Sequence, residues 1–264
     1  MIDPDAATIP AGSRTEDAAG DSIAARLAHI RARMATAAQR AGRDPAGIAL
    51  LPVSKTFGEA AIREAVALGL RRLGENKVQE MRGKVGPLAD CGIDWVMIGH
   101  LQTNKAKDVA RIAAEVQSLD RVELAIALDR RLQLEGRTMD VLLQVKTSTE
   151  PSKYGIAPDE LTAFARRIAR EMPTLRVRGL MTLAINVPEP AAVRACFRTL
   201  REWRDRLRAD AIEGIDMQRL SMGMSGDFEI AIEEGATEVR IGTAIFGSRP
   251  YGDDYYWPEG PAGK

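Results

Sequence analysis

With 264 residues, 45% of them hydrophobic, the chain can bury a substantial core, and its length is one at which single α/β barrels commonly fall. Its 37 basic and 37 acidic residues cancel, leaving neither the electrostatic footprint of a nucleic-acid binder nor a polybasic membrane anchor. No apolar run reaches the ~20 residues of a membrane helix, and two cysteines with two histidines, His29 and His100, offer little material for disulfides, zinc or a His-based triad.

Residues 1–20 are rich in Ala, Asp, Thr and Gly and lack a basic segment followed by an apolar one. They are expected to be a disordered tail, not a signal peptide. Cys91 and Cys196 then fit reduced thiols in a cytoplasmic protein. An amphipathic helix follows over 23–41, with Ile23, Leu27, Ile30 and Met34 along one face. From there strands and helices alternate. Strands are predicted at about 48–54, 72–75, 94–99, 115–119, 141–145, 177–181, 219–222 and 238–241. The helices between them are predicted at 58–70, from 76, and at 103–112, 122–134, 158–170, 191–207 and 227–234, with 244–247 after the last strand.

Eight strands, each followed by a helix or by the last segment, are the count for a (β/α)8 barrel. A doubly wound open sheet is the alternative, because alternation does not prove closure. No break rich in Pro, Gly or Ser precedes Pro250, so 21–250 reads as one barrel domain and 251–264, with Tyr255, Tyr256 and Trp257, as an irregular C-terminal tail.

In a barrel the strand C-termini converge on one mouth, where the chemistry sits. Lys55 falls at the end of the first strand, pointing an amine there. Asn76, His100 and Lys146 fall at later strand ends. After the seventh strand, Met222-Gly223-Met224-Ser225-Gly226-Asp227 has two glycines that let a ligand approach the backbone, and Gly242-Thr243 adds amides and a hydroxyl after the eighth. Barrels often place a phosphate site there. The plainer reading makes Ser225 a helix cap and the glycines tight turns. A lysine facing a phosphate site suits an aldehyde cofactor held as a Schiff base. Arg240, inside a buried strand, is costly unless partnered. An ion pair with Glu75 or Glu238 would serve. So would the pyridine nitrogen of pyridoxal phosphate, where a guanidinium would donate and disfavour pyridinium formation, weakening the cofactor as an electron sink.

Several blocks resemble the pyridoxal phosphate homeostasis protein family: Val53-Ser54-Lys55-Thr56, Gly74-Glu75-Asn76-Lys77-Val78-Gln79-Glu80, Ile98-Gly99-His100-Leu101-Gln102-Thr103-Asn104-Lys105, Ser152-Lys153-Tyr154-Gly155, Arg178-Gly179-Leu180-Met181, Leu220-Ser221-Met222-Gly223-Met224-Ser225-Gly226-Asp227 and Val239-Arg240-Ile241-Gly242-Thr243-Ala244-Ile245-Phe246-Gly247. They run in order over about 22–250. The resemblance implies a barrel like the N-terminal domain of alanine racemase, with pyridoxal 5′-phosphate on Lys55. It implies phosphate contacts at Ser225, Gly242 and Thr243, a pyridine-nitrogen contact from Arg240, and Asn76 near the cofactor. The expected function is a monomeric, non-catalytic carrier that keeps free aldehyde low and supplies cofactor to apo-enzymes. A racemase of this barrel type needs a second base from an additional domain, for which the sequence after the eighth strand leaves no room. A weak pyridoxal-phosphate-dependent racemase or lyase, with His100 or Lys146 as base, is the alternative. The arginine series from Arg194 to Arg208 reads as a solvated helix face.

Overall fold

The computed structural model describes residues 22–148 and 154–247. The expected tails at 1–20 and 251–264, and the block residues Ser152 and Lys153, lie outside the described residues. The first helix, α1 (Ile23–Arg40), begins where the Ser22 hydroxyl accepts the Ala25 N–H at 3.1 Å. It buries Ile23, Leu27, Ile30, Met34, Ala37 and Ala38, the stripe that its spacing predicts. Then follow β1 (Ala49–Pro52), α2 (Glu59–Ala67), β2 (Arg72–Glu75), α3 (Val78–Val85), β3 (Asp94–Met97), α4 (Ala106–Ile112), β4 (Glu115–Leu119) and α5 (Val122–Leu134). The second half comprises β5 (Met139–Gln144), α6 (Leu161–Glu171), β6 (Leu175–Met181), α7 (Pro190–Ala209), β7 (Ile215–Ser221), α8 (Phe228–Glu233), β8 (Glu238–Ile241) and α9 (Thr243–Phe246).

The strands form one parallel sheet in the order β1-β8-β7-β6-β5-β4-β3-β2. Beyond β1, Val53 pairs with Gly74 and the Ser54 N–H donates to the Gly74 carbonyl at 3.0 Å, which joins the two outer strands. The sheet is therefore a near-closed barrel, not an open doubly wound one. No helix among the described residues is long and apolar enough to cross a membrane.

Most expected boundaries shift by one to four residues, and two of the shifts bear on the site. Asn76 lies in a bend and Lys77 is extended, so α3 starts at Val78. β7 begins four residues earlier than the apolar pattern suggests, because Ile215 to Gln218 are mostly half-buried or exposed and carry no continuous hydrophobic run.

The barrel interior carries charge towards its N-terminal end. Arg72 and Arg219 each bridge Glu115 and Glu238 at 2.6–3.0 Å, closing a four-membered ring of ion pairs across β2, β4, β7 and β8. At the other end, Phe57 stacks on Phe246 at 5.1 Å, fastening the turn after β1 to α9. The Arg26 guanidinium donates to the Ile245 carbonyl at 2.7 Å and braces α1 against the same helix.

Candidate functional site

The turn Ser54-Lys55-Thr56 is held at each step. The Ser54 hydroxyl donates to Glu75 at 2.6 Å, and the Lys84 ammonium donates both to the Ser54 carbonyl at 2.8 Å and to Glu75 at 2.7 Å. Thr56 has φ 72°, a left-handed conformation costly for a β-branched residue, and its N–H donates to Glu80 at 2.8 Å. Glu80 and Lys84 lie one turn apart on α3, so one short helix grips the backbone on both sides of Lys55. Lys55 itself is half-buried.

Glu75 is 0% exposed. Burial pushes its carboxyl above the ordinary range, against the downward pull of Lys84 and Ser54. Its second oxygen has no hydrogen-bond partner among the described residues. Asn76 follows directly, and its carbonyl crowds Gly99 so closely that a Cβ there would lie 2.2 Å away. Only glycine permits that approach of the second and third strand ends. Asn76 opens onto a recess of about 510 Å³ that it shares with Lys77, Gln79, His100 and Lys105. The cleft of about 520 Å³ between α1 and the lower end of β1, lined by Arg31, Leu50 and Arg72, contains none of the predicted site residues.

On the other side of β1, Leu51 stands opposite Arg240 and Pro52 opposite Ile241. Gly242 follows so near to Val53 that an added Cβ would sit 3.2 Å from the Val53 carbonyl, which sets Gly242 and Thr243 beside the strand end that leads to Lys55. Gly223, in the loop after β7, has φ 92°, and a Cβ would lie 2.6 Å from the Ala231 Cβ. The Arg240 N–H donates to the Gly223 carbonyl, and Asp227 accepts the Met224 N–H at 2.5 Å, so this loop is tied to β8 and to its own end. Ser225 is not a helix cap: the cap of α8 is Asp227. The helices after β7 and β8 are six and four residues long, so the expected helix-end field is weak. The anion donors available are loop amides. Among the described residues the N–H groups of Ser225, Gly226 and Gly242 donate to no protein acceptor.

Arg240 is 3% exposed and makes no ion pair among the described residues. Neither Glu75 nor Glu238 takes it, contrary to the ion-pair expectation. Arg72 and Arg219 claim Glu238, and Lys84 claims Glu75. Arg240 donates instead to the Ser221 hydroxyl at 2.8 Å and to the Thr182 carbonyl at 2.7 Å. Desolvation lowers its pKa to about 10, with Glu238 and Asp227 opposing, so it remains a cation at neutral pH. His100 stacks on Tyr154 at 3.7 Å and faces Asp120 at 3.3 Å.

Arg240 thus lies in β8, and Lys55, Asn76, Ser225, Gly242 and Thr243 follow the ends of β1, β2, β7 and β8, four neighbouring strands of the barrel. Sequence reasoning missed Lys84, Glu80, Gln117 and Thr182. The one available signal was polar residues inside strands with no exposed face, as in Glu115-Val116-Gln117-Ser118-Leu119.

Residues 25–250 match the family model described as alanine racemase, N-terminal domain. A pyridoxal phosphate homeostasis protein of Pseudomonas aeruginosa is 48% identical over 231 residues, covering 88% of this chain and 97% of the relative. The structure of PipY from Synechococcus elongatus with PLP bound matches with a TM-score of 0.76 and 36% identity, covering 86% of this chain and all of that one. An alanine racemase from Streptomyces coelicolor shares the fold, with a TM-score of 0.66, 21% identity, and coverage of 87% of this chain against 59% of the enzyme. This chain, an alanine-racemase-type barrel along nearly all its described length, belongs to the pyridoxal phosphate homeostasis protein family.

Proposed function

We propose that this protein binds pyridoxal 5′-phosphate, with Lys55 holding the aldehyde as a Schiff base, and that it buffers the cofactor and supplies it to apo-enzymes in the cytoplasm as a monomer without turnover of its own. The observation that carries the reading is Arg240: a buried guanidinium, charged at neutral pH, that no carboxylate neutralises among the described residues, one strand over from the turn of Lys55. A group that desolvated is costly for the fold and is better accounted for by a ligand that needs a donor.

Bound through its aldehyde, the cofactor supplies an electrophilic imine conjugated to a pyridine ring. The residues of this chain would hold it at three points. Lys55 supplies the amine from a turn fixed by Glu80 and Lys84. The amides of Ser225, Gly226 and Gly242, with the Thr243 hydroxyl, offer donors to the phosphate. Arg240 would donate to the ring nitrogen and, being a cation, would oppose its protonation. Opposed protonation weakens electron withdrawal by the ring, which supports storage over carbanion chemistry. Asn76, at the end of β2, would border the cofactor. The enzymatic alternative would take His100 or Lys146 as its base; His100 stacks on Tyr154 and faces Asp120, and turnover assays separate the two readings.

The test is the visible absorption of the purified protein given pyridoxal 5′-phosphate, before and after borohydride, with peptide mapping of the reduced adduct. A band that borohydride abolishes, with the pyridoxyl group on Lys55 and neither feature in Lys55→Ala, is expected. A folded wild type that takes no adduct refutes the reading. Amino-acid turnover above the free-cofactor rate, lost in Lys55→Ala, would replace the carrier by the enzyme. Transfer is checked by reactivation of a pyridoxal-phosphate-dependent apo-enzyme.

A further inference from the structure

Between the ring of ion pairs at the foot of the barrel and Arg240 lies a short chain of buried polar groups. Gln117 is 0% exposed, and its carboxamide nitrogen stands 2.8 Å from a Glu115 oxygen and 2.5 Å from a Glu238 oxygen. Arg72 and Arg219 keep both carboxylates in the company of cations, and despite its burial Glu238 is held below the ordinary carboxylate range. Ionised carboxylates only accept. The amide end of Gln117 must therefore face them, since a flipped carboxamide would press its oxygen against two anions in a low-dielectric interior.

That orientation determines the next link. The Gln117 oxygen faces the Ser221 hydroxyl at 2.7 Å, and Ser221 also stands 3.1 Å from Glu238. Both neighbours are acceptors. The single Ser221 proton goes to one of them, and a lone pair is left for the Arg240 Nη1 group at 2.8 Å. The other arm of the guanidinium donates to the Thr182 carbonyl, and the Thr182 hydroxyl is itself bound to the Val145 carbonyl at 2.8 Å. Two fixed acceptors on two different nitrogens set the plane of the guanidinium.

We propose that Gln117 and Ser221 are positioning residues for Arg240: they fix the direction of a hydrogen-bond relay that ends in Arg240 as donor, and they keep Glu238 one link away from it. The proposal rests on the cofactor reading above. Glu238 and Arg240 are two apart on β8 and share a face, so they would pair directly if nothing stood between them. Gln117 and Ser221 occupy the Glu238 oxygen that Arg72 and Arg219 leave open, and among the described residues the guanidinium stays unneutralised, with donors in reserve. Loss of the relay would turn Arg240 down onto Glu238, neutralising it and withdrawing it from the pyridine nitrogen. The ring nitrogen would then protonate more readily.

The experiment uses the full chain loaded with pyridoxal 5′-phosphate carrying 15N in its ring, and reads the 15N resonance, the cofactor dissociation constant and the circular dichroism of each variant. Ser221→Ala is expected to bind about tenfold more weakly and to move the ring resonance to its position in Arg240→Gln. Ser221→Thr, which restores a hydroxyl, is expected to return it towards the wild-type position. Gln117→Met carries the same comparison if Ser221→Ala does not fold. A folded Ser221→Ala or Gln117→Met with wild-type resonance and affinity overturns the relay while leaving the cofactor reading standing. A wild type that forms no borohydride-stable adduct overturns both.

Discussion

Lys84 sets its ammonium 2.7 Å from the carboxylate of Glu75, a residue with no solvent exposure, and the pair stands behind the backbone of Lys55. Lys84 is only 14% exposed, so water screens the pair weakly. Removing one partner leaves the other charge buried, whereas the intact pair adds little over an apolar replacement. Lys84→Met should therefore cost about 3 kcal/mol in urea unfolding, and Glu75→Gln in the same chain should recover part of it. Additive effects of the two substitutions would show that the groups are not coupled.

Two of the buried glutamates, Glu75 and Glu238, respond to pH in opposite directions. Burial raises Glu75 above its ordinary 4.5, so the folded state holds this proton more tightly than the unfolded one. Stability is then lost as pH rises from 4.5 through the folded value. Glu238 is lowered, because Arg72 and Arg219 outweigh its burial, and its contribution is lost as pH falls below 4.5 through the folded value. In calorimetric scans, the melting temperature of Glu75→Gln relative to wild type should climb from pH 4 to pH 7. Glu238→Gln should flatten the acid limb. A difference independent of pH in both variants would mean that neither site is perturbed.

Arg240 carries charge into the interior with no carboxylate paired to it among the described residues. Arg240→Met should leave the cofactor-free protein as stable as wild type or more so, because the desolvation of a cation disappears while two neutral acceptors lose a donor. The same change should weaken pyridoxal 5′-phosphate binding by about 2 kcal/mol, the worth of a hydrogen bond from a charged donor. Thermal melts with and without cofactor separate the two effects. A large loss of apo stability would make Arg240 a structural residue instead.

Gly223 has no space for a side chain, with φ 92° and Ala231 in the path of any Cβ. Gly223→Ala should cost about 1–3 kcal/mol of stability and displace the loop that carries Ser225. Inorganic phosphate should compete with cofactor for the wild type and measurably less for the variant, as judged by titration calorimetry. Unchanged competition would place the phosphate elsewhere.

The strand ends were legible because the information is local: an apolar run ending in Lys55, a Gly-rich loop after Leu220-Ser221, and Ile241-Gly242-Thr243. What escaped was the choice of partner across the barrel. Glu238, two residues from Arg240 on the same strand face, is a natural ion-pair candidate in one dimension. In three dimensions Arg72 and Arg219 approach it from other strands and share one of its oxygens, while Gln117 and Ser221 hold the other. Gln117 and Ser221 meet across 104 positions of sequence, and nothing in either segment names the other. Lys84 was hidden differently. It sits on a helix whose register depends on where α3 begins, and that start is two residues later than the pattern suggested.

The order of the strands also says when such a site can exist. Lys55 and Asn76 come from the first two strands, and Ser225, Arg240, Gly242 and Thr243 from the last two. The two groups lie on either side of the seam where β1 pairs with β8. Chains whose contacts span so much sequence form them late, after the intervening units have condensed. A growing polypeptide emerging from the ribosome would therefore carry Lys55 through six further strands before the opposite side of the proposed site exists, and competence would arrive in one step, with the eighth strand.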